Sequence, residues 1–200
     1  MEVPQSLVAN REEIDAIDLH VFGDTSGAGT AAVVYAFVYK RSGTNQGLVA
    51  SKAGLAKNGL TFPRLELVSA HMAANLAANV KDALQGLPVR HVYGWMDSSV
   101  ALHWIKRGGS YKQFVANRIR KIHEKDYIQW RYVPTNGNPA DIASRGSSDK
   151  RLGETWSKGK SWLSTPTDCP RDILNQASND TEAEAKTDKR SSGSCSRIRR

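Results

Sequence analysis

The apolar residues change their spacing several times along the chain, and these changes constrain the fold more than any other feature. Three segments are either short or rich in β-branched and aromatic side chains, at 18–24, 30–40 and 47–56. Turn residues separate them. This pattern predicts three consecutive antiparallel strands. Residues 63–84 then carry apolar side chains at steps of three and four before Gly86, which predicts one long helix.

The second half of the chain alternates between the two patterns again. The predicted elements are a strand at 91–97, helices at 98–106 and 112–124, a strand at 128–132 and the start of a helix at 139–144. A helical segment between two strands usually makes those strands parallel. We therefore expect an α/β fold in which a mixed five-stranded sheet carries helices on its faces.

Four acidic residues lie at the ends of these elements. Asp24 and Asp97 close two strands, Glu66 lies in the predicted first turn of the long helix, and Asp141 opens the last helix. Singly, each has a structural explanation as a cap, a turn residue or a charge that favours the helix dipole. If the four carboxylates meet at one edge of the sheet, they repel one another unless a cation binds. Carboxylate oxygens are suitable ligands for Mg²⁺ or Mn²⁺. Two such ions can activate a water and stabilise the leaving oxygen in phosphodiester cleavage.

The charge of the chain is positive and unevenly distributed. The 28 Lys and Arg residues exceed the 20 Asp and Glu residues, and residues 106–121 contain no acidic residue. The basic residues of that stretch are Lys106, Arg107, Lys112, Arg118, Arg120 and Lys121. They form either a nucleic-acid binding surface or an ordinary solvated helix face.

The ends of the chain differ in composition from its middle. We expect an N-terminal linker or short helix at 1–17, one domain at 18–165, and a disordered basic and polar tail at 166–200 with few large apolar residues. No apolar stretch is long enough to span a membrane, and the N-terminus has no signal-peptide pattern. We therefore expect an intracellular, cytoplasmic protein with no membrane partner, with the nucleus as the alternative location.

Five ordered motifs resemble one known family. They are F-G-D-T-S, F-P-R-L-E-L, W-M-D-S-S-V-A-L-H-W-I, F-V-A-N-R and W-R-Y-V-P-T-N-G-N-P-A-D-I-A-S-R-G. Together they closely resemble the ribonuclease H domain of BEL/Pao-type retrotransposon polyproteins, from about Leu19 to Ser164.

The resemblance implies a ribonuclease H-like fold with sheet order 3-2-1-4-5 and strands 1–3 antiparallel. It also implies that Asp24, Glu66, Asp97 and Asp141 are the catalytic set that holds two Mg²⁺ ions, with Mn²⁺ as a substitute. The implied reaction hydrolyses the RNA strand of an RNA–DNA hybrid during reverse transcription and leaves 3′-hydroxyl and 5′-phosphate ends. A reverse transcriptase domain of the same polyprotein is the implied partner.

The resemblance favours hybrid binding by the basic stretch, through phosphate contacts that do not depend on sequence. The candidate substrate-binding residues are Thr25, Arg64, Ser98, Lys106, Arg107, Lys112, Arg118 and Lys121. Instead of binding substrate, Thr25 and Ser98 could stabilise a turn or cap a helix. Arg64 could instead be an ordinary solvent-exposed arginine.

Two other functions stay open at this point. Cellular relatives carry a His between the last strand and the final Asp, whereas this chain has P-T-N-G-N-P before Ala140. A catalytically silent module that binds RNA or hybrids is therefore the first alternative. Another ribonuclease H-like enzyme, such as an integrase or an exonuclease, is the second, although Glu66 at the start of a helix does not match an integrase pattern.

Overall fold

Five strands form one mixed sheet. The computed structural model describes residues 13–146, 153–164 and 178–186. The strands are β1 (Ala16–Thr25), β2 (Gly29–Lys40), β3 (Gly43–Leu55), β4 (Val89–Met96) and β5 (Ile128–Tyr132). Their order is β3-β2-β1-β4-β5, with β1 and β3 antiparallel to β2, β4 parallel to β1, and β5 parallel to β4. The predicted fold class and sheet order are confirmed.

The burial of each strand follows its place in the sheet. Every residue of β1 is buried, as are all but one of β2, because helices or loops cover both faces of these strands. No residue of β3, which lies at one edge, is fully buried. Its start at Gly43 is four residues earlier than predicted, because the turn residues Thr44 and Asn45 pair with the end of β2.

Three helices cover one face of the sheet: α1 (Phe62–Ala83), α2 (Ser99–Arg107) and α3 (Gln113–His123). Pro63 lies at the start of α1, where its missing N–H costs no helical hydrogen bond. Gly86, at φ +89°, follows the helix in a conformation that few other residues adopt. Small side chains of α1 face the strands, which lets the helix lie close to the sheet; they are Ala70, Ala73, Ala74 and Ala77.

Shorter elements cover the opposite face: α4 (Ala140–Ser144), α5 (Glu154–Lys158) and a 3₁₀ segment (Ser161–Ser164). Leu163 packs there against a mostly aromatic cluster that includes Phe22, Phe37 and Trp95. The Tyr35 hydroxyl donates a hydrogen bond to the Trp156 carbonyl at 2.9 Å, which fastens α5 to the sheet.

The chain ends differ in part from the predicted domain limits. The described chain starts at Glu13 and β1 at Ala16, so most of the predicted linker at 1–17 lies outside the described residues. Within the tail predicted to be disordered, residues 178–186 are described and contain α6 (Asn179–Glu182). For this stretch the prediction of disorder is wrong, because polar contacts rather than large apolar side chains hold it. In the described residues, no helix is long and apolar enough to cross a membrane.

Candidate active site

Two strand ends place the first pair of predicted acids at one edge of the sheet. In the parallel pairing of β1 with β4, Phe22 is the partner of Trp95. Asp24 and Asp97 each lie two residues beyond that pair, so the two carboxylates lie at neighbouring carboxyl ends. This is the edge at which α/β sheets commonly carry their sites.

Gly23 permits the close approach of α1 to this edge. A Cβ at Gly23 would lie 3.0 Å from the carbonyl oxygen of Ser69 on α1 and 2.9 Å from the Met96 sulfur. A larger residue before Asp24 would therefore push α1 away. Because α1 begins at Phe62, Glu66 lies in its second turn and not in the first turn that the sequence predicts.

Two hydrogen bonds place Glu66 and Asp141 near this edge: Ser98, which follows Asp97, donates to Glu66, and Ser144 of α4 donates to Asp24. Asp97 and Asp141 raise the pKa of Asp24, and Asp97 and Asp24 raise the pKa of Glu66. Asp141 is the second residue of α4, which contacts both β1 and β2. The structure thus brings together the four carboxylates that the sequence singles out.

Burial and mutual repulsion make the charged forms of these groups costly. Burial is the largest cause that raises the pKa of Asp24 to about 6 and that of Glu66 to about 7, with the neighbouring carboxylates adding to it. Burial also raises the pKa of Asp97, against hydrogen bonds from Thr135 and Asn138 that lower it. A bound cation would relieve this cost by stabilising the ionised forms.

The other three carboxylates, like Asp97, are held by neighbouring side chains. Ser144 donates a hydrogen bond to Asp24 Oδ2, and Ser98 donates one to Glu66 Oε2. Arg145 Nε donates to Asp141 Oδ1 at 2.6 Å.

The donor set fits Mg²⁺ in its chemistry, because it consists of carboxylate oxygens that bear mutual repulsion. Within the described ranges, no three acidic, His or Cys side chains are close enough to ligate one ion as they stand.

Asn138 connects two parts of this edge. It is 3% exposed, and its Nδ2 donates to the Gly23 carbonyl at 3.0 Å, next to Asp24. Its Oδ1 accepts a hydrogen bond from the Ala140 N–H at 3.1 Å, next to Asp141. The loop that lacks a His thus contributes an amide that joins β1 to α4.

The sequence analysis missed both Ser144 and Asn138. Ser144 follows Asp141 by three residues, so helical spacing places the two on the same side of α4 and is a usable signal. Asn138 directly precedes Pro139 and α4, where it reads only as a turn residue.

Thr25 and Ser98, two of the predicted substrate-binding residues, have local structural roles. The Thr25 hydroxyl donates to the Gly29 carbonyl at 3.1 Å within the β1–β2 turn and is buried. Ser98 caps α2 by accepting a hydrogen bond from the Ala101 N–H at 3.1 Å, in addition to its bond with Glu66.

The predicted basic residues lie on or near α2 and α3, and one lies on α1. Arg107, Lys112 and Lys121 are exposed, whereas Lys106 is half-buried. The Arg118 guanidinium lies 3.5 Å from the centre of the Phe114 ring, and Arg64 lies 5.0 Å from the same ring. Arg64 also pairs with Glu184 of the 178–186 segment, with Nε 2.7 Å from Oε1.

The geometry agrees with what comparison with known proteins finds. Residues 1–98 match the family model of the Pao retrotransposon-like RNaseH-like domain, and this region contains Asp24, Glu66 and Asp97. Among curated proteins, none matches the chain.

Solved structures of RNase H proteins are similar to this chain at low identity. RNase H1 from the halophilic archaeon Halobacterium salinarum is 16% identical, with a TM-score of 0.40 over 62% of this chain and 90% of that one. LC11-RNase H1 in complex with an RNA/DNA hybrid is 15% identical, with a TM-score of 0.39; the match covers 68% of this chain and 99% of that one. The foamy viral protease-reverse transcriptase in complex with double-stranded DNA is 14% identical, with a TM-score of 0.35; the match covers 59% of this chain and 21% of that one.

The sheet order and strand directions, rather than these low scores, define the fold as ribonuclease H-like. Residues 1–98, just under half of the chain, resemble the Pao retrotransposon-like RNaseH-like domain.

Proposed function

We propose that this protein is a Mg²⁺-dependent endoribonuclease that hydrolyses the RNA strand of RNA–DNA hybrids. The observation that carries the proposal is the convergence of Asp24, Glu66, Asp97 and Asp141 at the carboxyl ends of two parallel strands. The match of residues 1–98 to the model of the Pao retrotransposon-like RNaseH-like domain supports the same reaction.

The four carboxylates would hold two Mg²⁺ ions, and Mn²⁺ would substitute. When bound, the metal supplies activation of the attacking water and neutralisation of charge on the phosphate. Ser98 and Ser144 orient the carboxylates of Glu66 and Asp24. Asn138 fixes the spacing between β1 and α4, and with it the spacing between Asp24 and Asp141.

The basic residues on α1, α2 and α3 would hold the hybrid through its phosphates. Their contacts would be independent of sequence and sensitive to salt. Recognition of RNA would come from minor-groove shape and 2′-hydroxyl groups near the acids. Ser98, which lies between the acidic edge and α2, would make such a contact. In a retroelement, the partner would be a reverse transcriptase domain of the same polyprotein, and the reaction would remove the RNA template.

A silent module that binds hybrids is the second candidate. The loop without His and the engagement of all four carboxylates with protein side chains favour it. Intact acids at all four positions favour the enzyme.

Strand-specific cleavage separates the two candidates. The full chain is incubated with a hybrid that carries a different label on each strand, in Mg²⁺, in Mn²⁺ and in EDTA. The proposal expects cuts in the RNA strand with either metal and none in EDTA. Cuts in the DNA strand would contradict it, whereas binding without cleavage in either metal would favour the silent module.

A further inference from the structure

Residues 178–186 dock against the loop between α2 and α3. Ala185 forms an antiparallel bridge with Tyr111. The Lys112 N–H donates to the Glu184 carbonyl at 2.8 Å, and the Lys186 N–H donates to the Ser110 carbonyl at 2.8 Å. The segment is thus held by backbone pairing at a fixed register.

The segment engages two of the predicted phosphate-binding residues. The Glu184 carboxylate accepts hydrogen bonds from Arg64 Nε at 2.7 Å and Arg64 Nη2 at 3.0 Å. The Glu184 side chain is 9% exposed and that of Arg64 is 26% exposed, so the pair is largely removed from water. Lys112 Nζ donates to the Ala183 carbonyl at 2.7 Å.

The segment also contacts α2. The Trp104 indole N–H donates to the Thr181 carbonyl at 3.2 Å, and Thr181 is buried. The segment therefore extends from Lys112 to Trp104.

We propose that residues 178–186 occupy part of the nucleic-acid binding surface and compete with the hybrid for Arg64 and Lys112. Three acidic residues and one basic residue give the segment a negative charge, like that of a phosphate backbone. A phosphate accepts from a guanidinium in the same two-pronged way as the Glu184 carboxylate. The same two donors cannot serve both, so the hybrid binds fully only when the segment leaves. This inference rests on the proposed function, because it needs a hybrid that binds this surface.

The test compares the full chain with Glu184→Gln and with Glu182→Gln as the matched control. Glu182 lies in the same segment, is exposed, and carries the same charge. Hybrid binding is measured in EDTA, where no turnover occurs, at several salt concentrations. Hydrogen exchange at the Lys112 and Lys186 amides reports separately on docking of the segment, without any nucleic acid.

If the segment competes, Glu184→Gln speeds exchange at both amides and tightens hybrid binding about three- to tenfold relative to Glu182→Gln. The slope of log affinity against log salt also steepens by about one, because Arg64 becomes available to one more phosphate. Arg64→Ala should speed exchange in the same way but weaken hybrid binding.

Two other results would overturn the inference in different ways. Faster exchange in Glu184→Gln with measurable but unchanged hybrid affinity would show that the segment docks without competing. Failure of every variant to bind the hybrid at low salt would overturn the proposed function and the competition together.

Discussion

Asp24→Asn should stabilise the protein in the absence of metal, although it removes a proposed catalytic group. Asp24 is 5% exposed, and burial with repulsion from Asp97 and Asp141 raises its pKa from 3.8 to about 6. A rise of about two in pKa corresponds to about 3 kcal/mol, because each unit is worth about 1.4 kcal/mol. Because the neighbouring carboxylates share part of this cost, we expect a gain in the free energy of unfolding of about 1–3 kcal/mol.

The sign of the effect sets its pH dependence. Below pH 3.8 the carboxyl is protonated in both the folded and the unfolded state, so this cost is absent. Between pH 3.8 and about 6 the folded state binds more protons, and the wild type loses stability as the pH rises. The advantage of Asp24→Asn should therefore appear across this range and be complete above it. The amide oxygen can still accept the hydrogen bond from Ser144.

Urea unfolding in EDTA at pH 8 and at pH 4 measures this effect. Asp126→Asn is the control, because Asp126 is exposed and lies just before β5, away from the acidic edge. Mg²⁺ should then stabilise the wild type, by about 2.7 kcal/mol at a concentration one hundred times its Kd, and should stabilise Asp24→Asn much less. A loss of stability in Asp24→Asn at pH 8, or a gain of equal size at both pH values, would refute the reasoning.

Two further substitutions test how the edge is held. Ser98→Ala should lower the free energy of unfolding by about 1 kcal/mol through loss of the α2 cap, measured by urea unfolding, and an unchanged value would argue against the cap. Asn138→Ala should cost about 2 kcal/mol, because two buried backbone groups lose their partner, and should slow hybrid cleavage at saturating substrate. Normal cleavage by a folded Asn138→Ala protein would show that this amide does not position the acids.

The fold could be predicted largely from local patterns. The three- and four-residue steps of α1 and the apolar runs of β2 and β5 are properties of adjacent residues, and the structure gives β5 the predicted bounds. The order of the sheet came from the family resemblance. The start of β3 was missed because turn-forming residues can also pair in a tight hairpin, as Thr44 does with Tyr39.

The polar network of the site could not be predicted in this way. The bond between Ser144 and Asp24 joins residues 120 positions apart, and Arg64 and Glu184 are also 120 positions apart. Such contacts leave no period in the sequence. Composition also suggested disorder at 178–186, because it counts apolar side chains and cannot register backbone pairing with Tyr111.

Cleavage by Asp97→Asn tests the central claim most directly. The exchange keeps the size of the side chain and removes the charge of the acid that follows β4. With a hybrid labelled on its RNA strand, the full chain in Mg²⁺ should cut the RNA, and Asp126→Asn should cut it at the same rate. Asp97→Asn should retain its circular dichroism spectrum and its hybrid affinity in EDTA while it loses cleavage by at least about a hundredfold. Cleavage at the wild-type rate by Asp97→Asn would contradict the assignment of this acidic edge as the active site.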